Sequence, residues 1–286
     1  MSGDDRELKL SFMSKEKYVC PVCRTAFHRE ELLSGSGRLI AGELTDELRR
    51  LYQPSTKYGE VYPLAYAATV CPGCWFAAMD KDFSSLPKRA KNQVLADEDS
   101  RKADVRRIFP KVDFYEPRNL ISGAASLYLV VRCYDFYPKE FSPTIKQGIA
   151  ALRTGWLLED MDEKYPGQHY DWVAVLFKKK AQFFYSEAIQ REQRGTETLS
   201  AANIFGPDTD KNYSYEGALY LYGLLKLKYG ARDDVEEWRA ALGDAKRTIA
   251  KIFGLGKASK SKPGPLLEHA RHLYNSLSQE LNETDE

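Results

Sequence analysis

The 286-residue chain has no apolar run approaching the roughly 18–20 residues that span a bilayer, so a membrane protein of the helical kind is not expected. Its first residues, MSGDDRELKLSF, are polar and acidic and lack the apolar core of a signal peptide. A cytoplasmic address with no membrane partner is the expectation. Charge of one sign is also missing: 42 Lys and Arg stand against 41 Asp and Glu, a formal net charge of +1. Dedicated nucleic-acid binders carry a basic excess, so nucleic acid is not the expected partner. Glycine-rich phosphate loops, the G-x-S-x-G elbow and the H-E-x-x-H helix are absent. Acidic pairs such as Glu159–Asp160 and Asp233–Asp234 fall at helix ends, where charge aids solubility and complements the helix dipole. The chain is therefore not expected to be an enzyme. Hydrophobic residues at 43% and charged residues at 29% describe an ordinary globular protein with a sizeable core.

Cysteine is scarce, five in all, and its distribution is informative. Four of the five lie in two nearly identical phrases, "YVCPVCRTAF" and "ATVCPGCWFA". In a reducing compartment paired cysteines read as metal ligands or redox centres rather than disulfides, and a redox CxxC needs a βαβ setting that neither pair has. A CPxC knuckle turns both sulfurs toward one point. Two knuckles, Cys20 with Cys23 and Cys71 with Cys74, can complete a tetrahedral thiolate site of the zinc-ribbon kind. Residues 24–70 separate the pairs, more than the roughly 15–20 of a compact ribbon, so an insertion is implied. Structural Zn2+ is the expected ion, although iron in a rubredoxin-like site takes the same ligands.

Many such knuckles carry glycine after the second cysteine. Here Arg24 and Trp75 stand there, which predicts a less tight turn, with Trp75 packed over the site. Cys133, within the apolar "YLVVRCYDFY", reads as a buried core thiol. His28, five positions after Cys23, is a weaker ligand candidate, and His269 with His272 lack a third partner.

The chain is expected to be mainly α. Residues 1–14 read as a flexible tail and 15–88 as a four-cysteine, zinc-ribbon-like domain. Residues 89–115 read as a connector and 116–286 as a helical domain. Within the first domain "TDELRRLY" predicts a short helix capped by Thr45, and "YPLAYAATV" a strand. Six helical patterns follow, beginning with "NLISGAASLYLVVRCYDFY" and "SPTIKQGIAALRTGWLLEDM". In the latter, Ser142 is placed as N-cap before Pro143 at N1. The others are "HYDWVAVLFKKKAQFFYSEAIQREQ", "YSYEGALYLYGLLKLKYG", "DVEEWRAALGDAKRTIAKIFG" and, after the basic linker "KASKSKPG", "PLLEHARHLYNSLSQEL".

Fragments of a tetratricopeptide pattern run through them. Ala181, Tyr185 and Ala188 reproduce the small–aromatic–small spacing of that repeat's second helix, and Gly223 and Gly230, with Tyr222 before the first, match two of its glycine positions. Insertions such as "RGTETLSAANIFGPDTDKN" break a strict period of about 34, and a plain bundle is the competing arrangement. Aromatics exceed what one buried stripe needs. Lys178, Lys179, Phe183, Phe184, Tyr220 and Tyr222 are accordingly expected to line one groove for a protein or peptide partner.

Taken together, "CPVCRTAF", the "SGRL" of Ser36 to Leu39 and "YPLAYAATVCPGCWFAAMDKDF" resemble a bacterial family known as the domain-of-unknown-function 2225 family. The likeness continues more weakly through "ALRTGWLLED", "KKKAQFFYSEAI" and "LYLYGLLKLKYG". It departs at "LTDELRRL" and Trp75, as in a divergent member. The resemblance implies a cysteine-knuckle domain before tetratricopeptide-like helices and no established activity. The expected role is a zinc-binding interaction scaffold; a nucleic-acid-associated zinc-ribbon protein is the alternative.

Overall fold

The computed structural model describes residues 9–202, 212–254 and 264–283. These form two compact units. The first holds Arg49–Cys133 and the described residues through Thr45; the second holds Asp46–Leu48 and the described residues from Tyr134 onward.

The first unit begins with short antiparallel hairpins. Strand β1 (Ser11–Met13) pairs with β4 (Glu30–Leu32), and between them β2 (Tyr18–Val19) pairs with β3 (Ala26–Phe27). The expected tail thus ends earlier than residue 14, because Ser11–Met13 find a partner strand. Next, β5 (Ile40–Leu44) pairs with β6 (Arg50–Gln53), and β7 (Thr69–Val70) with β8 (Ala77–Ala78). The helix expected over "TDELRRLY" does not form. Thr45 instead closes a turn, its N–H donating to the Arg49 carbonyl and its Oγ1 accepting from the Arg49 N–H, and Arg50 onward continues as strand. The strand expected over "YPLAYAATV" is confined to Thr69–Val70; Pro63–Tyr66 form a 3-10 turn.

Helices complete this unit: α1 (Asp80–Phe83), α2 (Lys88–Ala96), α3 (Glu98–Ile108) and α4 (Leu120–Cys133). Helix α3 has few apolar residues, so its periodicity is faint, yet Val105 and the charged Arg101 are both buried. The sequence boundary at residue 116 follows a change in composition. The compact unit instead runs through α4, whose apolar side packs on β8 and the 3-10 turn.

The second unit is a series of long helices: α5 (Pro143–Lys164), α6 (Tyr170–Gln193), α7 (Ser214–Tyr229), α8 (Val235–Gly254) and α9 (Gly264–Glu283). Each packs against the next, and α7 also meets α9. Residues 165–169 join α5 to α6, so two helices in such extended contact must run antiparallel. Most of the expected linker "KASKSKPG" lies outside the described residues.

Pro143 opens α5 as expected, but Ser142 does not cap it. Ser142 sits in the left-handed region (φ 49°) with its hydroxyl donating to the Thr198 carbonyl. The free N–H at the helix start is met by the buried Glu197 carboxylate, which accepts from the Thr144 N–H at 2.9 Å and the Thr144 hydroxyl at 2.8 Å. A carboxylate suits this end of the helix dipole, and only the fold brings it there.

Candidate metal centre

Each CPxC pair is the turn of a two-stranded hairpin. β2 leads into Cys20 and β3 leaves Thr25; β7 leads into Cys71 and β8 leaves Phe76. Backbone bonds close both turns alike. The Cys20 N–H donates to the Thr25 carbonyl and the Cys71 N–H to Phe76, both at 2.9 Å. The Arg24 N–H donates to the Cys20 carbonyl at 3.1 Å, and that of Trp75 to Cys71 at 2.9 Å.

Arg24 (φ 69°) and Trp75 (φ 58°) both take the left-handed conformation where glycine would be relaxed. The looser turn expected from the missing glycines is therefore not seen. The knuckle geometry is kept at the cost of left-handed backbone at two non-glycine residues.

The two turns face one another. All four sulfurs of Cys20, Cys23, Cys71 and Cys74 lie within 4.8 Å of one another. Cys20 Sγ is 3.7 Å from Cys74 Sγ, and Cys23 Sγ is 3.5 Å from Cys71 Sγ. A tetrahedral centre with Zn–S bonds of about 2.3 Å would place its sulfurs about 3.8 Å apart. The donor set and its spacing fit a divalent ion of that class, and no disulfide links any of the cysteines.

Hydrogen bonding within the cluster and burial push the Cys20 thiol up to about 12 and Cys74 up as well. The charge collects on Cys71, which is pulled down to about 2 by the hydrogen bonds of Cys20 and Cys74. Four crowded sulfurs cannot all ionise unless a cation compensates them.

Packing holds the knuckles together. Tyr18 and Phe27 from the first hairpin and Phe76 from the second meet Phe83 of α1, with ring centroids 5.2 to 6.5 Å apart. Gly73 permits the close approach, since a Cβ there would lie 2.6 Å from Thr25 Oγ1. That hydroxyl sits 3.1 Å from Cys23 Sγ.

Positive charge flanks the second knuckle. Arg101, wholly buried on α3, donates to the Cys74 carbonyl through Nε at 3.1 Å and Nη2 at 2.7 Å. Lys102 Nζ donates to the Gly73 carbonyl at 2.8 Å. Trp75 is buried, packed edge-on against Phe114 with the Arg106 guanidinium 4.8 Å from its ring centroid. Arg101 and Lys102 thus hold the backbone of the second knuckle from α3, while their charges are paired with Asp97 and Glu98. Sequence reading missed Arg101, because nothing in "EDSRKADVRRI" marks one arginine as interior.

The family model described as "Uncharacterized protein conserved in bacteria (DUF2225)" matches residues 13–277. The chain belongs to this family. An uncharacterized protein of Borreliella burgdorferi is 42% identical over 274 residues, covering 96% of this chain and 98% of that relative. No solved structure matches the chain.

The remaining candidates of this DUF2225 chain are placed as follows. Cys133 is buried on α4, where its sulfur accepts the Ala77 N–H at 3.4 Å; burial pushes its thiol up to about 11. His28 is outside the sulfur cluster and bonds the Ser14 carbonyl through Nδ1.

Among the described residues, Lys178, Lys179, Phe183, Phe184, Tyr220 and Tyr222, expected to line one groove, do not share one exposed face. Tyr220 and Tyr222 are buried, because α8 and α9 cover α7: Tyr222 OH donates to Asp244 Oδ2 at 2.6 Å, and the Tyr220 ring faces His269. Lys178 is buried in ion pairs with Glu159 and Glu47. Phe183 is 56% exposed, and Lys179 is exposed. Phe183 and Phe184 border a cavity of about 230 Å³ with Tyr137 and Arg191, to which neither α7 tyrosine contributes.

Proposed function

We propose that Cys20, Cys23, Cys71 and Cys74 bind one structural zinc ion, and that the chain acts as a non-enzymatic scaffold which binds another protein. The converging sulfurs carry the metal half of this reading. Four thiolates would fill a tetrahedral zinc site and leave no position for a substrate, which supports a structural rather than catalytic ion. Zinc-free protein should lose order at the two knuckles, since the unfolded chain has no preformed site.

The interaction half rests on α6. Trp172 (63% exposed), Leu176 (38%) and Phe183 (56%) recur at spacings of four and seven, with Lys179 between them. Such spacing puts them on one helix face, interrupted by Lys179, and large apolar side chains exposed together are a mark of a protein-binding surface. A tetratricopeptide-like arrangement of α5–α9 is part of the proposal. Its support is the close helix approach at small residues: a Cβ on Gly223 would lie 2.9 Å from Ile249, and one on Gly148 3.0 Å from Tyr185.

Metal analysis of the purified full-length chain tests the first half; about one zinc per chain is expected, and Cys71→Ser should lose it. Retention of a full complement by that variant overturns the assignment. Capture from native lysate, with wild type against Trp172→Ser/Phe183→Ser, tests the second. A reproducible partner should be lost in the double variant while the metal content stays unchanged. Equal capture by both removes the α6 face from the reading.

A further inference from the structure

Within the second unit, one carboxylate is held where a charge is costly. Glu47 is almost wholly buried, yet it comes from residues 46–48, which lie between two strands in the sequence. Its partners come from three helices. Trp156 Nε1 on α5 donates to Oε2 at 2.5 Å, and Lys178 Nζ on α6 stands 3.1 Å from the same oxygen. On α7, Tyr229 OH donates to Oε1 at 2.9 Å and Lys228 Nζ lies 3.5 Å away.

The neighbouring residues are held as well. Asp46 pairs with Lys228 at 2.7 Å, and its carbonyl accepts from Tyr220 OH at 2.7 Å. Leu48 is completely buried, its Cδ1 4.0 Å from where a Cβ on Gly217 of α7 would stand, and it adopts φ 61°. A leucine rarely takes the left-handed region, so the surroundings and not its own preference fix it there.

Two features separate this arrangement from an ordinary surface turn. The donors Trp156, Lys178, Lys228 and Tyr229 all belong to α5–α7, so those helices make a carboxylate receptor without help from residues 46–48. The receptor is cationic: among the described residues of the helices, Glu159 answers only one of its two lysines, at 2.5 Å from Lys178. Without Glu47 the buried Lys178 would keep only Glu159, while Tyr229 and the more exposed Lys228 would lose a carboxylate acceptor, an arrangement that attracts another carboxylate.

We propose that the cleft of Trp156, Lys178, Lys228 and Tyr229 is a recognition site for a glutamate–leucine segment, that Asp46–Leu48 is its resident internal ligand, and that a partner protein presenting the same acidic–aliphatic pair displaces it. This rests on the scaffold reading above and names the chemistry of a partner. It uses a site separate from the exposed face of α6.

The probe is a fluorescently labelled synthetic peptide with this chain's own residues 43–51, ELTDELRRL. Its binding is read by anisotropy against full-length protein carrying Glu47→Ala and Leu48→Ala, with circular dichroism to verify folding. Saturable binding is expected, at least tenfold tighter than to wild type. Glutamine in place of the peptide's Glu47 equivalent should weaken it at least tenfold, and so should Lys178→Gln in the protein. Absence of binding to the folded variant, or binding indifferent to the peptide's carboxylate, overturns the proposal.

Should the double variant not fold, wild type is examined by hydrogen exchange with excess peptide. Faster exchange at the amides of residues 45–49 supports displacement, and unchanged exchange overturns it. Loss of the cleft in these experiments, with capture through α6 intact, counts against the internal ligand alone.

Discussion

Gly73 in the second knuckle and Thr25 after the first approach so closely that a Cβ on Gly73 would lie 2.6 Å from the Thr25 hydroxyl oxygen. The same hydroxyl is 3.1 Å from Cys23 Sγ, so it has little room to retreat. Gly73→Val should therefore push the knuckles apart. A loss of about 1–3 kcal/mol, as for overpacked cores, is expected in chemical denaturation, with faster zinc release to a chelator. Unchanged release would show that Thr25 simply rotates away.

The left-handed residues make a prediction of opposite sign. Arg24 is exposed and adopts φ 69°, so Arg24→Gly removes strain without removing a buried contact. Stability should hold or rise by up to about 1 kcal/mol, whereas the β-branched Arg24→Val should lose about 1–2 kcal/mol. Denaturation midpoints of the two variants, at equal zinc content, decide it.

Arg101 is the interior support of the second knuckle. Its guanidinium meets the Cys74 carbonyl twice and pairs with Asp97 at 3.5 Å. Arg101→Met would leave a buried carbonyl and a carboxylate with fewer partners, at a cost of about 3 kcal/mol. Lysine cannot reproduce the forked contact, so Arg101→Lys should rescue less than half of the loss. Full rescue by lysine would reduce the role of Arg101 to charge alone.

Glu47 makes a prediction about pH. Burial acts to raise its pKa, but Lys178, the Trp156 indole, Lys228 and Tyr229 outweigh this and hold it below the ordinary value. A lowered folded pKa stabilises the protein above the unfolded value of about 4.3, and the contribution fades as pH falls through the folded value. Glu47→Gln should thus be less stable than wild type at pH 7, by about 2–3 kcal/mol, with the gap narrowing below about pH 4. Any zinc lost in acid is lost by both proteins, so the difference between their denaturation midpoints isolates Glu47. A gap that stays constant down to about pH 3 speaks against this assignment.

Cys133 should be slow to react. It is buried, and its thiol is pushed up to about 11, so little thiolate exists near pH 8. Mass spectrometry after alkylation of native protein should find it the last cysteine modified, and Cys133→Ala should keep its metal. Rapid modification would place the thiol at the surface.

The sequence by itself determined the paired knuckles, the family, the long helices and the burial of Cys133. Each of these is written in local chemistry: a repeated CPxC spacing, apolar residues at helical intervals, a cysteine within an apolar run. The tertiary structure alone decided the rest. Thr45 closes a turn rather than starting a helix, because Arg50–Gln53 have β5 to pair with. Arg24 and Trp75 keep the tight knuckle that their own preferences oppose, because two backbone hydrogen bonds close each turn. Tyr220 and Tyr222 are interior and Phe183 is not, because α8 and α9 cover α7 whereas this ring of α6 stays open to solvent. Glu197 answers the N–H at the start of α5, and Glu47 reaches two lysines far away in sequence. Charge, unlike hydrophobic period, leaves no trace of its partner in the local sequence. A buried glutamate reads the same as an exposed one until the fold brings its donors to it.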